Sequence, residues 1–186
     1  PHKDGKPRYD KPALIYWLQA ASVQALGLNE LALRLPSALA ASLWILALWG
    51  FVRERLDVPT ATVAALTMAL SLQVAVIAKA AVADAVLNLF IALTFFEIYR
   101  YSLEQRPGIV LRAFLWMGLG FLTKGPVAVF FPLVVSLGFF LSRGEGRILW
   151  RAAFNPLGWL IFLAVAGPWY LAIYLDDGPG FFESFF

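Results

Sequence analysis

The chain has 186 residues, 61% of them hydrophobic and 15% charged, with a net charge of +3 and a mean hydropathy of +0.73. A soluble domain carries roughly a quarter charged residues, so the composition excludes one and points to a polytopic helical membrane protein, with recurring apolar runs of about 20 residues. The absence of cysteine excludes disulfides, thiolate catalysis and cysteine-held metals, and the basic balance (pI ≈ 9.4) reads as loop charge that orients membrane spans, not as a nucleic-acid surface.

Residues 1–11 are polar, with Lys3, Asp4, Lys6, Arg8, Asp10 and Lys11, and read as the end of an extracytoplasmic loop. His2 is a lone histidine in a solvated segment. Pro12 suits the first turn of a helix, and residues 12–28 carry no charge. Leu14, Leu18, Ala21, Ala25 and Leu28 recur at helical spacing and predict the apolar stripe of that helix. It is short for a span. A helix lying along the interface is the favoured reading, and a short span is its rival.

Residues 34–175 predict about six transmembrane helices. Leu35–Val52 is the first, introduced by Arg34 and Pro36 and ending at Arg53-Glu54-Arg55. Val58–Ala78 follows, then Lys79 to Asp84, then Ala85–Tyr99. Residues 113–141 hold one charge, Lys124, in Thr123-Lys124-Gly125-Pro126. That tract is about 44 Å long as a single helix. The triple-Arg groups on either side, Arg100/Arg106/Arg112 and Arg143/Arg147/Arg151, favour two short spans with both groups inside. Ala153–Leu175 is the last span, and residues 176–186 begin another extracytoplasmic loop. Pro1 in place of Met, and a final Phe-Phe-Glu-Ser-Phe-Phe run, read as an internal piece of a longer protein in one membrane domain.

In this topology eight of the ten arginines lie inside. Lys79, Asp84, Lys124 and Arg34 lie on the outer face. Asp84, at a membrane boundary, needs a partner or water. Lys79 is its neighbour in sequence, so a local pair closing a helical hairpin competes with a site. Lys124 sits where Gly and Pro break a helix, and broken helices are tolerated beside cavities. An ammonium there suits phosphate; a snorkelling lysine is the alternative. Arg34 is either an anion ligand or an interfacial anchor. Asp10-Lys11-Pro12, taken alone, reads as a solvated tail. No glycine-rich nucleotide loop or histidine metal motif occurs. Outer polar groups fit a donor that arrives through the membrane, such as a polyprenyl phosphate.

Tyr9-Asp10-Lys11-Pro12-Ala13-Leu14-Ile15-Tyr16-Trp17-Leu18, Gly27-Leu28-Asn29-Glu30 and Arg34-Leu35-Pro36-Ser37-Ala38-Leu39 together resemble the lipid-linked-sugar glycosyltransferases. These include aminoarabinose transferases acting on lipid A and protein O-mannosyltransferases. Lys79 to Asp84, Thr123-Lys124-Gly125-Pro126 and Gly167-Pro168-Trp169-Tyr170 match the same family in order. The resemblance implies an all-α transmembrane bundle, the C-type glycosyltransferase fold, with residues 12–28 as a juxtamembrane helix. It implies an enzyme of the bacterial inner membrane facing the periplasm. A sugar passes with inversion from a polyprenyl-phosphate donor to a lipid A-like or protein acceptor. Lys11, Lys124, Arg34 and Lys79 would contact the donor phosphate, and Asp84 would support catalysis. The main catalytic aspartate is expected upstream of Pro1. The resemblance fixes no cofactor and leaves room for a divalent metal beside Asp10, although Glu-Lys-Pro-Pro is the usual motif. Partners are the donor, the acceptor and membrane lipids, with no nucleic acid. A transporter or flippase for a lipid-linked anion is the alternative. It would need a polar path, and the inner halves of the helices are nearly all Ala, Leu, Val and Phe.

Overall fold

The computed structural model describes residues 11–177, with side chains through residue 176, and the backbone of residues 2–3 and 6–7. At the N-terminus β1 (His2–Lys3) and β2 (Lys6–Pro7) form a minimal antiparallel pair, His2 opposite Pro7. The other described elements are helices. The order is α1 (Leu14–Leu26), α2 (Glu30–Arg55), α3 (Val58–Ala69), α4 (Leu72–Lys79), α5 (Asp84–Glu104), α6 (Pro107–Lys124), α7 (Val127–Ser142), α8 (Gly146–Ala153) and α9 (Pro156–Asp177).

The helix ends follow from local chemistry. Asn29 caps α2, its side chain accepting from the Ala32 N–H at 2.8 Å, and Asp57 caps α3 through the Thr60 N–H at 2.7 Å. Such side chains satisfy first-turn donors that have no partner within the helix. Pro107 stands in the first turn of α6, where its missing N–H costs nothing. Gly125 closes α6 at φ 71°, a left-handed conformation that disfavours a side chain.

Among the described residues α2, α5 and α9 are long and apolar enough to cross a membrane, and α3 with α4 makes a fourth candidate bent by 62°. The single helix expected over Val58–Ala78 is thus two, broken at Leu70-Ser71. No Pro or Gly marks this break. Packing sets it: α4 turns back onto α2 and α5, where Ile77 and Ala78 join the core.

The bundle is built on α5 and α6, with α2 on one side and α9 on the other. Two apolar clusters result. Ile15, Ala40, Ala41, Ala83, Ala85, Val86 and Leu89 tie α1 and α2 to the start of α5. Tyr101, Ile109, Val110, Phe114, Leu122, Phe162 and Ala166 tie α6 to α9 and the end of α5. Gly118 lets α6 and α9 close up: a Cβ there would stand 3.2 Å from the Val165 Cβ.

The face that α1 turns to the bundle is not its apolar stripe. Leu18 and Leu28 are exposed, as are Ala21 and Ala25, whereas Ile15 is buried. The inward face carries Gln19, whose amide donates to the Leu33 carbonyl at 3.2 Å and the Ala81 carbonyl at 3.4 Å. A polar group on the inward side holds backbone here, and of the stripe only Leu14 is half-buried against the core. A weakly amphipathic helix gives the sequence little with which to choose between its faces.

Candidate active site

The segment from Ala80 to Ala83 contributes carbonyls to neighbouring helices. Ser37, fully buried on α2, donates to the Val82 carbonyl at 2.8 Å, and Gln19 on α1 reaches Ala81. Ala83 is buried too, and small side chains here let three helices meet. This clamp fixes the first residue of α5, Asp84.

Lys124 is the last residue of α6. Its end is held from three directions. The Phe121 carbonyl accepts the Gly125 N–H at 2.8 Å and the Tyr170 hydroxyl at 3.3 Å. Gly120, one turn earlier, lies against α7, where an added Cβ would stand 2.8 Å from the Ala128 Cβ. Tyr170 of the Gly-Pro-Trp-Tyr motif thus helps to aim Lys124.

Lys124 Nζ donates to Asp84 Oδ1, and the two side chains keep 39% and 37% of their surface exposed. The pair joins two helix ends of opposite polarity. A carboxylate at an N-terminus and an ammonium at a C-terminus are each favoured by the helix dipole. Neither group is used up. Asp84 Oδ2 accepts nothing among the described residues, and the ammonium has two further N–H bonds. A half-open pair with spare donors can take an anionic oxygen and a hydroxyl together.

Asp84 is therefore paired with Lys124, 40 positions away, and not with Lys79 as its neighbour in sequence. Lys79, the last residue of α4, is exposed and has no ion pair among the described residues. Arg34 is exposed and bonds Glu30 one turn back at 3.4 Å. Lys11 is half-buried, just before the buried Pro12 and Ala13, and makes no ion pair among the described residues. All three lie at the end of the bundle that carries Asp84 and Lys124, yet none is joined to the pair. Asp10 lies outside the described residues, so the metal expectation at that position has no geometry here. Among the described residues no three metal-ligating side chains gather, and Asp84 faces an ammonium.

A second polar centre, at the opposite end of α5 and α6, went unread in the sequence. Glu97 is buried on α5. Its Oε1 accepts from Arg100 Nη1 at 2.9 Å, and its Oε2 from Arg112 Nη2 and Nε at 2.8 and 3.1 Å. Arg100 also grips Glu54 of α2, and Arg55 and Arg106 approach Glu104 at 3.7 and 3.5 Å. The arginines read as orientation signals are also the partners of a buried acid. The usable signal was Glu97 itself, a lone carboxylate inside an apolar run, which must be paired.

A family model for dolichyl-phosphate-mannose-protein mannosyltransferases matches residues 10–171. The chain belongs to this family. It is 32% identical to an undecaprenyl phosphate-alpha-4-amino-4-deoxy-L-arabinose arabinosyl transferase of Aeromonas hydrophila, covering all of this chain and 34% of that protein. An uncharacterized protein of Aquifex aeolicus is 29% identical over all of this chain and 41% of its own length. The crystal structure of ArnT from Cupriavidus metallidurans bound to undecaprenyl phosphate superposes with a TM-score of 0.86 at 23% identity, over 96% of this chain and 34% of that one. The apo form of the same protein gives 0.85. The fold is that of ArnT, an all-α membrane glycosyltransferase fold. This family member spans about a third of the length of the transferases it matches.

Proposed function

We propose that the chain forms the donor-binding part of a membrane glycosyltransferase. The enzyme moves a sugar from a polyprenyl-phosphate carrier to a lipid A-like or protein acceptor, on the periplasmic face of the bacterial inner membrane. The observation that carries this reading is the half-open Asp84–Lys124 pair at the meeting of two helix ends. The named activity of the relatives and the undecaprenyl phosphate in the ArnT structure supply the substrate class.

The proposed topology has six crossings: α2, α3 with α4, α5, α6, α7 and α9. The arginine-rich helix ends lie inside. Lys124 and Asp84 then face outward at headgroup depth. The acceptor oxygen attacks the anomeric carbon as the bond from that carbon to the phosphate oxygen breaks. The configuration inverts, and polyprenyl phosphate leaves with the electron pair. Charge grows on the phosphate, and Lys124 meets it with a preorganised ammonium. Lys11, Lys79 and Arg34 ring the same end and contribute further positive charge. Asp84 orients the ammonium and offers its second oxygen to the acceptor hydroxyl. The acceptor proton goes to a carboxylate base, which we place upstream of Pro1.

The test uses the full-length protein in liposomes with radiolabelled polyprenyl-phosphate sugar. Transfer should fall by about 10²-fold or more in Lys124→Ala, the scale for removing one oriented donor, and also fall in Asp84→Asn. Undiminished transfer in both variants would sink the assignment. Label crossing the bilayer without transfer would favour the flippase.

A further inference from the structure

The short helix α8 is positioned by few contacts. It has eight residues, too few to be stable alone in water. It packs chiefly on α7, and Leu149 is its one buried residue. Leu149, Ala152 and Ala153 roof an apolar cavity of about 150 Å³ instead of a filled core. Ser136 lines that cavity with its hydroxyl buried and unpartnered. A helix over a partly empty space needs another surface to hold it down.

Its outer face shows what that surface is. Arg147, Trp150, Arg151 and Phe154 are all exposed. They follow the i, i+3, i+4, i+7 spacing, and so form one stripe. Trp150 and Phe154 stack at 5.7 Å. Neither Arg147 nor Arg151 has a carboxylate partner among the described residues, whereas Arg143 in the preceding turn is matched by Glu145 at 3.1 Å. Among the described residues the end of the bundle that carries α8 holds eight arginines against five carboxylates, namely Glu54, Asp57, Glu97, Glu104 and Glu145.

We propose that α8 is an interfacial anchor whose exposed stripe binds anionic phospholipid headgroups. The two aromatic rings sink to the boundary between headgroups and acyl chains, and the two guanidiniums fork onto lipid phosphates. Zwitterionic lipid satisfies the rings but leaves the surplus positive field unbalanced. Anionic lipid answers both.

The test uses the full-length protein in liposomes containing brominated phosphatidylglycerol or brominated phosphatidylcholine at equal bulk fractions. Trp150 emission is isolated by difference from Trp150→Phe. Brominated phosphatidylglycerol should quench Trp150 at least about twofold more, since each basic residue near an anionic surface favours binding severalfold. R147Q/R151Q should equalise the two lipids, and R147K/R151K should keep the preference. Equal quenching in the wild type would overturn the proposal. So would no quenching by either lipid, because α8 would then be covered by protein. A preference that survives R147Q/R151Q would also overturn it. If R147Q/R151Q does not fold, the wild-type comparison still decides.

Discussion

The two ends of α5 and α6 use charge in opposite ways. At one end Asp84 and Lys124 form a single pair, and each keeps more than a third of its surface in solvent. At the other, Glu97 keeps 6% and is bonded by two guanidiniums, with Glu54, Arg55, Glu104 and Arg106 around them. A buried carboxylate must be saturated, because an unmatched charge in a low dielectric costs several kcal/mol. Its geometry is then fixed and it has nothing left to offer. The open pair loses more of its interaction to solvent screening, but it retains unused donors and acceptors. One end is built to hold helices together; the other keeps the free donors and acceptors on which the proposed function rests.

Exchanging the open pair is the sharpest way to break this contrast. Asp84→Lys with Lys124→Asp preserves an ion pair while placing each charge at the wrong helix end. If the pair only ties α5 to α6, the exchange should rescue transfer. We expect the rate to stay about 10²-fold or more below wild type, with the protein still folded by circular dichroism. The Glu97→Gln variant should do the reverse. It leaves two guanidiniums half-matched and should cost about 2–3 kcal/mol, below the range for a fully buried pair because Arg112 is half in solvent. Thermal unfolding in detergent would register the loss, with transfer per folded molecule within about twofold of wild type.

Two glycines sharpen the same contrast with smaller effects. An added methyl at Gly120 would stand 2.8 Å from the Ala128 Cβ, and one at Gly158 would stand 2.4 Å from the Phe114 ring. Each Gly→Ala change should destabilise by about 1–3 kcal/mol through overpacking. Only Gly120→Ala lies one turn from Lys124, so only that variant should also slow transfer. Equal turnover in the two would mean that the α6–α7 contact does not aim the lysine.

How much of this was legible in the sequence depends on whether the signal was local. The break after Lys124 was readable because Gly125 and Pro126 announce it. The ends of α2 and α3 carry Asn29 and Asp57. The family pattern, spread over residues 9–170, was readable because it depends on order and not on contact. The bend at Ser71 was not, since nothing local forces it and α4 turns only to meet α2 and α5. The partner of Asp84 was missed for a related reason. Lys79 is near in sequence, but α4 ends with its lysine exposed while α6 returns alongside α5 and delivers Lys124. Glu97 is hard to read from sequence because the flanking positions of its arginines already account for them as orientation signals. A charge can orient a span and fill a buried network at once.

The smallest expected effects come from the two capped helix starts, one at each end. Asn29→Ala removes an uncharged cap from α2 and should cost about 1 kcal/mol at every pH. Asp57 does the same work at the other end with a carboxylate. Bonds from Thr60, chiefly its backbone N–H, hold the Asp57 carboxyl below its ordinary value of 3.8. A depressed folded pKa means the charged cap stabilises in full above the unfolded value and is lost as pH falls through the lower folded one. Melting temperature in detergent should therefore decline below about pH 4 more steeply in wild type than in Asp57→Asn, which keeps an acceptor but no charge. Asn29→Ala should leave that slope unchanged. Parallel pH profiles for wild type and Asp57→Asn would mean that the exposed cap acts as an acceptor alone, and that charge matters to stability only where Glu97 is buried.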